Sequence, residues 1–143
     1  MVTHVRSVQR GVDARSFVQV ASGIPRRRIV VAGFSQGGAL ALHFALRHAE
    51  PLAGCIALSS WLPLRESYPA QLGLGARKLP LLLAHGDADL VVPLAWGQLG
   101  HDRLRECGLD VRTVTAGGVG HGVDAMVLGE VADFLGRVLD GAL

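Results

Sequence analysis

Three side chains that together could carry out acyl transfer are spread along the sequence: Ser35, Asp89 and His121. A serine hydroxyl is a weak nucleophile at neutral pH, so it needs a base within hydrogen-bond reach and a carboxylate that orients the base. Ser35 would attack an acyl carbonyl, His121 would take its proton and later pass it on, and Asp89 would hold the imidazole in the correct tautomer. The order Ser, Asp, His is typical of such triads built on a parallel sheet.

Ser35 lies in the sequence GFSQGG at residues 33–38, directly after the apolar run 29–32. A G-x-S-x-G sequence between a strand and a helix forms a sharp turn that pushes the serine hydroxyl off the end of the strand. We expect Gly33 and Gly37 to be required there, because backbone and helix approach too closely for a Cβ atom. The backbone N–H of Gln36 would be one donor to the oxyanion.

The other two members of the triad are chosen by position. Asp87 and Asp89 share one loop; Asp89 is favoured because it directly precedes the run 90–93, and Asp87 remains an alternative. Of the six histidines, His121 alone follows the last predicted strand and lies among glycines. We interpret His85, which precedes Asp89 in the same region, as a structural turn residue.

These residues need a scaffold, and the hydrophobic pattern predicts one of alternating helices and strands. Helices are predicted over 13–22, 36–48, 93–108 and 123–140, strands over 28–33, 52–58, 79–84 and 109–115, and an irregular stretch over 59–78. This alternation is typical of a parallel sheet with helices on both faces, an α/β fold, here a single domain over residues 1–143. Ser35, Asp89 and His121 each follow a strand, so they are predicted to meet at the carboxyl edge of the sheet.

Composition narrows the class of protein. The 143 residues are 50% hydrophobic and only 18% charged, as expected for strands covered on both faces or for an incomplete domain. A net charge of +2 and 5% aromatic residues argue against nucleic-acid binding. Two distant cysteines make neither a zinc site nor a required disulfide, and Cys55 is predicted to lie in the core. Without a membrane-spanning run or an evident signal peptide, we expect a cytoplasmic protein.

Four segments make the chain resemble the phospholipase/carboxylesterase family, which includes the acyl-protein thioesterases. They are GFSQGG at 33–38, LSSWLP at 58–63, HGDADLVVP at 85–93 and the pair Gly120-His121; the family usually has proline where this chain has Leu90. The resemblance runs from about residue 23 to the end. The resemblance implies an α/β-hydrolase fold and catalysis by Asp89, the second aspartate of the loop 85–93 (the acid loop). It also implies hydrolysis of carboxylic esters or acyl thioesters in small or acyl-chain substrates, without metal or cofactor.

The same resemblance implies several strands before the nucleophile strand, together with a glycine-rich loop that supplies a second oxyanion donor. No such segment is predicted upstream of Ser35. We therefore expect only the C-terminal four strands of the fold, with the strand 28–33 at a sheet edge. Two hypotheses follow: that the chain is a truncated product, or that it forms homo-oligomers through this edge.

The sequence alone is compatible with more than one function. The leading one is a serine esterase; the second is a truncated, weakly active or inactive fragment that acts as an association module. A dienelactone hydrolase is less favoured, because the G-x-S-x-G turn carries serine rather than cysteine. The irregular stretch is predicted to cover an acyl pocket with Trp61, Leu62 and Leu64 as walls, although core packing accounts for these three equally well.

Overall fold

The computed structural model describes residues 23–140. Its elements are β1 (Val30–Phe34), α1 (Gln36–Ala45), β2 (Gly54–Leu58), β3 (Leu81–Gly86), α2 (Leu94–Glu106), β4 (Val111–Ala116) and α3 (Ala125–Leu139). Short 3₁₀ turns lie at Arg26–Arg28, Arg65–Ser67 and Leu74–Lys78. The helix predicted over 13–22 lies outside the described residues.

The four strands form one parallel sheet in the order β1-β2-β3-β4. The predicted parallel sheet is therefore confirmed, and so is the edge position of the strand that carries Ser35, within the described part of the chain. Each strand begins two residues later than predicted. At β1 the reason is local: Arg26–Arg28 form a 3₁₀ turn, so Arg28 cannot join the ladder.

Each face of the sheet has its own hydrophobic core. On one face α1, α2 and the segment 59–78 pack onto the sheet, with Phe44, Tyr68 and Leu104 almost fully buried. On the other face Phe134 of α3 packs against Ile56 and Leu82. Helices therefore cover both faces, as predicted. Burying each large apolar side chain contributes roughly 1.5–3 kcal/mol, so the cores on both faces stabilise the sheet.

The thiol of Cys55 lies in the first of these cores and has no exposed surface. Burial raises its pKa to about 12. The prediction that Cys55 is a small core residue is confirmed.

Residues 67–73 of the segment 59–78 pack at the C-terminal end of α1, the end opposite to Ser35. Arg47 donates hydrogen bonds to Gln71 Oε1 at 2.9 Å, to Ser67 Oγ at 3.1 Å and to the Tyr68 hydroxyl. A Cβ atom on Gly73 would lie 2.2 Å from the carbonyl oxygen of His48, so backbone meets backbone here. These contacts hold residues 67–73 against α1, and none of them involves Ser35.

Helix α1 is shorter than the predicted 36–48 and ends at Ala45. The reason lies in its last turn, where Arg47 N donates to Phe44 O and His48 N donates to Ala45 O. These are i to i−3 bonds, so the chain tightens into a 3₁₀ turn and leaves the α-helix. The helix is otherwise largely buried, as predicted.

Strand β1 presents one unpaired side among the described residues. Ile29 O accepts from Ala53 N and Ser35 N donates to Leu58 O, so these residues face β2. By the alternation of a parallel strand, the N–H and C=O groups of Val30, Ala32 and Phe34 point away from β2. The strand contains no charged residue and no proline, the two features that usually protect a sheet edge.

We expect this edge to make the chain associate. Purified chain should elute in size-exclusion chromatography with light scattering at a multiple of its 15.0 kDa mass. The Ala32→Lys variant should be monomeric, because a charge at an exposed edge position disfavours strand pairing. A wild-type chain that stays monomeric at high concentration would contradict the prediction.

Candidate active site

Ser35 occupies a sharp turn between β1 and α1. Its backbone lies at φ 53° and ψ −123°, a conformation that residues with a Cβ rarely adopt. Hydrogen bonds hold it from both sides: Ser35 N donates to Leu58 O at 2.8 Å, and Ser35 O accepts from Gly38 N and Ala39 N. The turn aims the side chain off the carboxyl edge of the sheet.

Two glycines allow this turn, but they are not the two expected. A Cβ atom on Gly33 would lie 2.1 Å from Gly37 O, and one on Gly38 would lie 2.8 Å from Ser60 Cβ. A Cβ on Gly37 would meet no atom within 4 Å in the described chain. The steric expectation is therefore right for Gly33 and wrong for Gly37, because the first turn of α1 faces outward at Gly37 and Gly38 makes the close contact instead.

Alanine substitutions should separate the two positions. Gly33→Ala is expected to destabilise the fold by about 3 kcal/mol or more, since the backbone at Gly37 must move. Gly37→Ala is expected to stabilise it by up to about 1 kcal/mol, because alanine is the better helix former. Urea denaturation followed by circular dichroism measures both, and equal destabilisation by the two variants would refute the steric assignment.

The structure brings Ser35, His121 and Asp89 together. His121 Nε2 lies 3.0 Å from Ser35 Oγ, and His121 Nδ1 lies 2.8 Å from Asp89 Oδ2. With Asp89 ionised, Nδ1 carries a hydrogen that it donates to the carboxylate, and Nε2 is left to accept from the serine hydroxyl. The three residues follow β1, β3 and β4, so the parallel strands deliver them to one edge.

Asp89 is held rigidly behind the imidazole. Its side chain has no exposed surface. Oδ1 accepts from the backbone N–H groups of Val91 and Val92, both at 2.9 Å, which leaves Oδ2 for His121. The orientation of the carboxylate is thus fixed by backbone donors from its own loop.

His85 is a second neighbour of Asp89 that the sequence analysis assigned differently. It lies in β3 rather than in a turn, it is buried, and its Nε2 lies 2.8 Å from Val92 O and 3.4 Å from Asp89 Oδ2. Because a carbonyl oxygen only accepts, Nε2 must carry the hydrogen. The sequence feature that could have indicated this contact is the position of His85 at the end of a strand, four residues before Asp89.

Asp89 is ionised more easily than an ordinary aspartate. Burial acts to raise its pKa, but hydrogen bonds from His121 and from the N–H groups of Val92 and Val91 outweigh burial, and the pKa is lowered. A lowered pKa in the folded state stabilises the fold above the unfolded pKa of about 3.9, and this stabilisation is lost as the pH falls through the folded value.

This linkage gives a pH-dependent prediction. The difference in free energy of unfolding between wild type and Asp89→Asn should be largest at neutral pH and should shrink as the pH falls below about 4. Urea titrations between pH 7 and pH 3 measure it. A difference that stays constant over this range would mean that the charge of Asp89 contributes nothing to folding.

Asp87, the alternative acid, has a different partner. Its Oδ1 accepts from Gly118 N at 2.7 Å. A Cβ atom on Gly86 would lie 2.1 Å from Val119 O, so the acid loop and the loop that carries His121 (residues 117–122, the histidine loop) are in backbone contact here. Asp87 therefore joins the two loops, and Asp89 is the carboxylate at His121.

Two further residues contact His121 or the residue after it, and the sequence analysis gave neither this role. The ring of Phe34 lies against His121 with its centroid 4.8 Å away. Ser59 Oγ donates to Gly122 O at 3.3 Å, from a buried residue that also has a positive φ of 46°. The sequence features that could have indicated these contacts are the aromatic residue directly before Ser35 and the serine directly after β2.

The remaining predicted site residues are placed as follows. The N–H of Gln36 lies in the first turn of α1, where a helix offers no internal acceptor. Trp61 meets Trp96 edge to face with ring centroids 6.4 Å apart. Leu62 is buried, and Leu64 is 52% exposed. Trp61 and Leu62 line a cavity beneath α2, and Leu64 does not.

Residues 23–140 show neither a metal-binding cluster nor a membrane-spanning helix. No cluster of three or more histidine, cysteine, aspartate or glutamate side chains is placed to hold a metal ion. No helix in this part of the chain is both long and apolar enough to cross a membrane.

The chain is similar to several known proteins. The phospholipase/carboxylesterase family model matches residues 8–139. Acyl-protein thioesterase 1 of Neurospora crassa is 41% identical over 119 residues, which cover 82% of this chain and 49% of the relative. A probable carboxylesterase of Oryza sativa is 41% identical over 73% of this chain and 40% of its own length.

A solved structure agrees with these relatives. The crystal structure of SOBER1 from Arabidopsis thaliana superimposes with a TM-score of 0.89 at 30% identity, over 94% of this chain and 64% of that one. The chain spans about half the length, or less, of the two curated relatives. The partial α/β-hydrolase fold expected from the sequence is confirmed.

Proposed function

The chain belongs to the phospholipase/carboxylesterase family, and we propose that it is a serine hydrolase that cleaves carboxylic esters, with acyl thioesters as a second substrate class. The observation that carries this proposal is the hydrogen-bonded series Ser35, His121, Asp89, with contacts of 3.0 and 2.8 Å. Relatives named as a thioesterase and as a probable carboxylesterase support the reaction class.

The proposed reaction forms and then hydrolyses an acyl-enzyme. Ser35 Oγ attacks the carbonyl carbon while His121 Nε2 takes the hydroxyl proton, and the carbonyl oxygen becomes an oxyanion that accepts from Gln36 N–H. His121 then gives this proton to the leaving alcohol or thiol as its bond to carbon breaks. A water molecule repeats the sequence and releases the acid. Asp89 stays ionised throughout and stabilises the imidazolium.

Among residues 23–140, the N–H of Gln36 is the group that we assign as an oxyanion donor in the proposed mechanism. Removal of one of two oxyanion donors typically costs about 10²–10³ in rate. We propose that hydrolysis supported by this donor alone is slower than hydrolysis with two donors, and that a strongly electrophilic fluorophosphonate still phosphonylates Ser35 readily.

The proposal is tested with purified chain. It should be labelled by a fluorophosphonate probe and should hydrolyse p-nitrophenyl butyrate above the buffer rate. Butyrylthiocholine, paired with butyrylcholine, compares thioester with ester. A chain that is folded but neither labelled nor active would instead support the fragment without catalysis that the sequence analysis left open.

A further inference from the structure

A cavity of about 370 Å³ lies between α2 and the sheet, on the face opposite to α3. Its walls come from α1, the segment after β2, strands β3 and β4, and α2; neither Ser35, Asp89 nor His121 lines it. An apolar cavity of about 150 Å³ is already large enough to hold benzene. The cavity is thus large enough for a ligand of several more heavy atoms, and it is distinct from the triad.

The space arises from how α2 meets the sheet. A Cβ atom on Gly97 would lie 2.7 Å from His85 Nδ1, and one on Gly100 would lie 2.9 Å from Leu62 Cβ. At these two glycines the helix therefore lies closely against β3 and the segment after β2. Over β4 the sheet presents the smaller side chains of Thr113 and Thr115, and both threonines remain exposed.

The lining changes from apolar inside to polar outside. Leu42, Leu62 and Leu104 line it and are buried, whereas the polar residues Gln98 and Thr113 lie at the exposed side. The apolar inner wall suits the alkyl chain of a ligand.

One buried polar group in the wall needs a partner. Ser60 is 6% exposed, and its Oγ has no hydrogen-bond partner among residues 23–140. A buried hydroxyl without a partner is costly, and a serine hydroxyl both donates and accepts. A ligand hydroxyl inside the cavity would satisfy it.

The charges around the cavity select against an anion. Among residues 23–140, no lysine or arginine lines the cavity, and its carboxylate, Asp102, lies at the exposed side and contacts His101 Nδ1 at 3.1 Å. A carboxylate head would therefore lose its water without gaining a cation. A neutral head has no such cost.

We propose that this cavity is a second binding site for a neutral amphiphile, an alcohol with a medium-length alkyl chain, whose hydroxyl bonds Ser60 Oγ and whose chain lies along Leu83 and Leu104. The site is independent of hydrolysis at Ser35. Because His85 lines the cavity, its ring resonances report on occupancy.

The test uses 1-octanol and octanoate as a matched pair, followed by two-dimensional NMR of the full chain. Octanol should shift resonances of residues 97–104, of Thr113 and of the His85 ring, and should do so equally in the Ser35→Ala variant. Octanoate should bind at least about tenfold more weakly because its head must be desolvated. The proposal would be overturned if octanoate bound as tightly as octanol. It would also be overturned if octanol shifted only the resonances of the loops that carry Asp89 and His121.

Two substitutions locate the ligand. Thr113→Phe fills the cavity from its exposed side and should abolish octanol binding, while the isosteric Thr113→Val should bind as wild type does. Ser60→Ala should weaken octanol binding about two- to tenfold, the worth of one hydrogen bond. Should Thr113→Phe not fold, Thr115→Phe fills the same side. Octanol binding that persists in a folded filled variant refutes the site.

Discussion

Ser35→Ala is expected to abolish covalent labelling by a fluorophosphonate and to lower kcat for p-nitrophenyl butyrate by about 10⁴-fold or more. The reason is geometric: Ser35 Oγ is the oxygen that lies 3.0 Å from His121 Nε2, at a turn whose strained backbone holds it there. Alanine removes the nucleophile and adds no bulk. The measurement is in-gel fluorescence of the labelled chain together with initial rates of ester hydrolysis.

The matched control is Ser67→Ala, a change of the same kind in the 3₁₀ turn beside Arg47, at the other end of α1. It should be labelled like wild type. Labelling of Ser35→Ala at the wild-type rate would place the reactive nucleophile elsewhere and would refute the mechanism. Equal thermal melting of wild type and Ser35→Ala would show that lost labelling is not lost folding.

Local patterns in the sequence were sufficient to predict the parallel sheet and the three residues at its edge. Apolar runs define buried strands, and the residue after each strand of a parallel sheet lies at its carboxyl edge. Ser35, Asp89 and His121 each follow such a run, so the sequence alone brought them together.

The contacts that the sequence did not predict are those between segments distant in the chain. Gly38, rather than Gly37, lies against Ser60, 22 residues away, and only the packing of α1 on the end of β2 creates that contact. The path of the segment 59–78 depends on Arg47, whose side chain reaches Ser67 and Gln71. Periodicity carries no information on such pairs, since they depend on which elements are neighbours in space.

The position of His85 illustrates the same limit on a smaller scale. The apolar run 79–84 predicted a strand that ends before His85, whereas β3 continues through His85 to Gly86. Its pairing with β4, opposite Thr115, extends the strand. That extension turns a predicted turn residue into a buried neighbour of Asp89.

Asp89→Asn should lower kcat by about 10⁴-fold while the fold persists, and Asp87→Asn should leave kcat close to wild type. The N–H groups of Val91 and Val92 both point at Oδ1, so the amide oxygen of an asparagine must take that position. Its NH₂ group then faces His121 Nδ1 and donates to it. His121 is forced into the tautomer with hydrogen on Nε2, which cannot accept the proton of Ser35.

At position 87 the same substitution keeps the interaction that the structure assigns. An amide oxygen can accept from Gly118 N as the carboxylate oxygen does, so the contact between the acid and histidine loops is retained. Rates of p-nitrophenyl butyrate hydrolysis by the two variants separate the two aspartates. A large loss in Asp87→Asn with near-normal activity in Asp89→Asn would reverse the assignment, and it would require His121 to change its partner during the reaction.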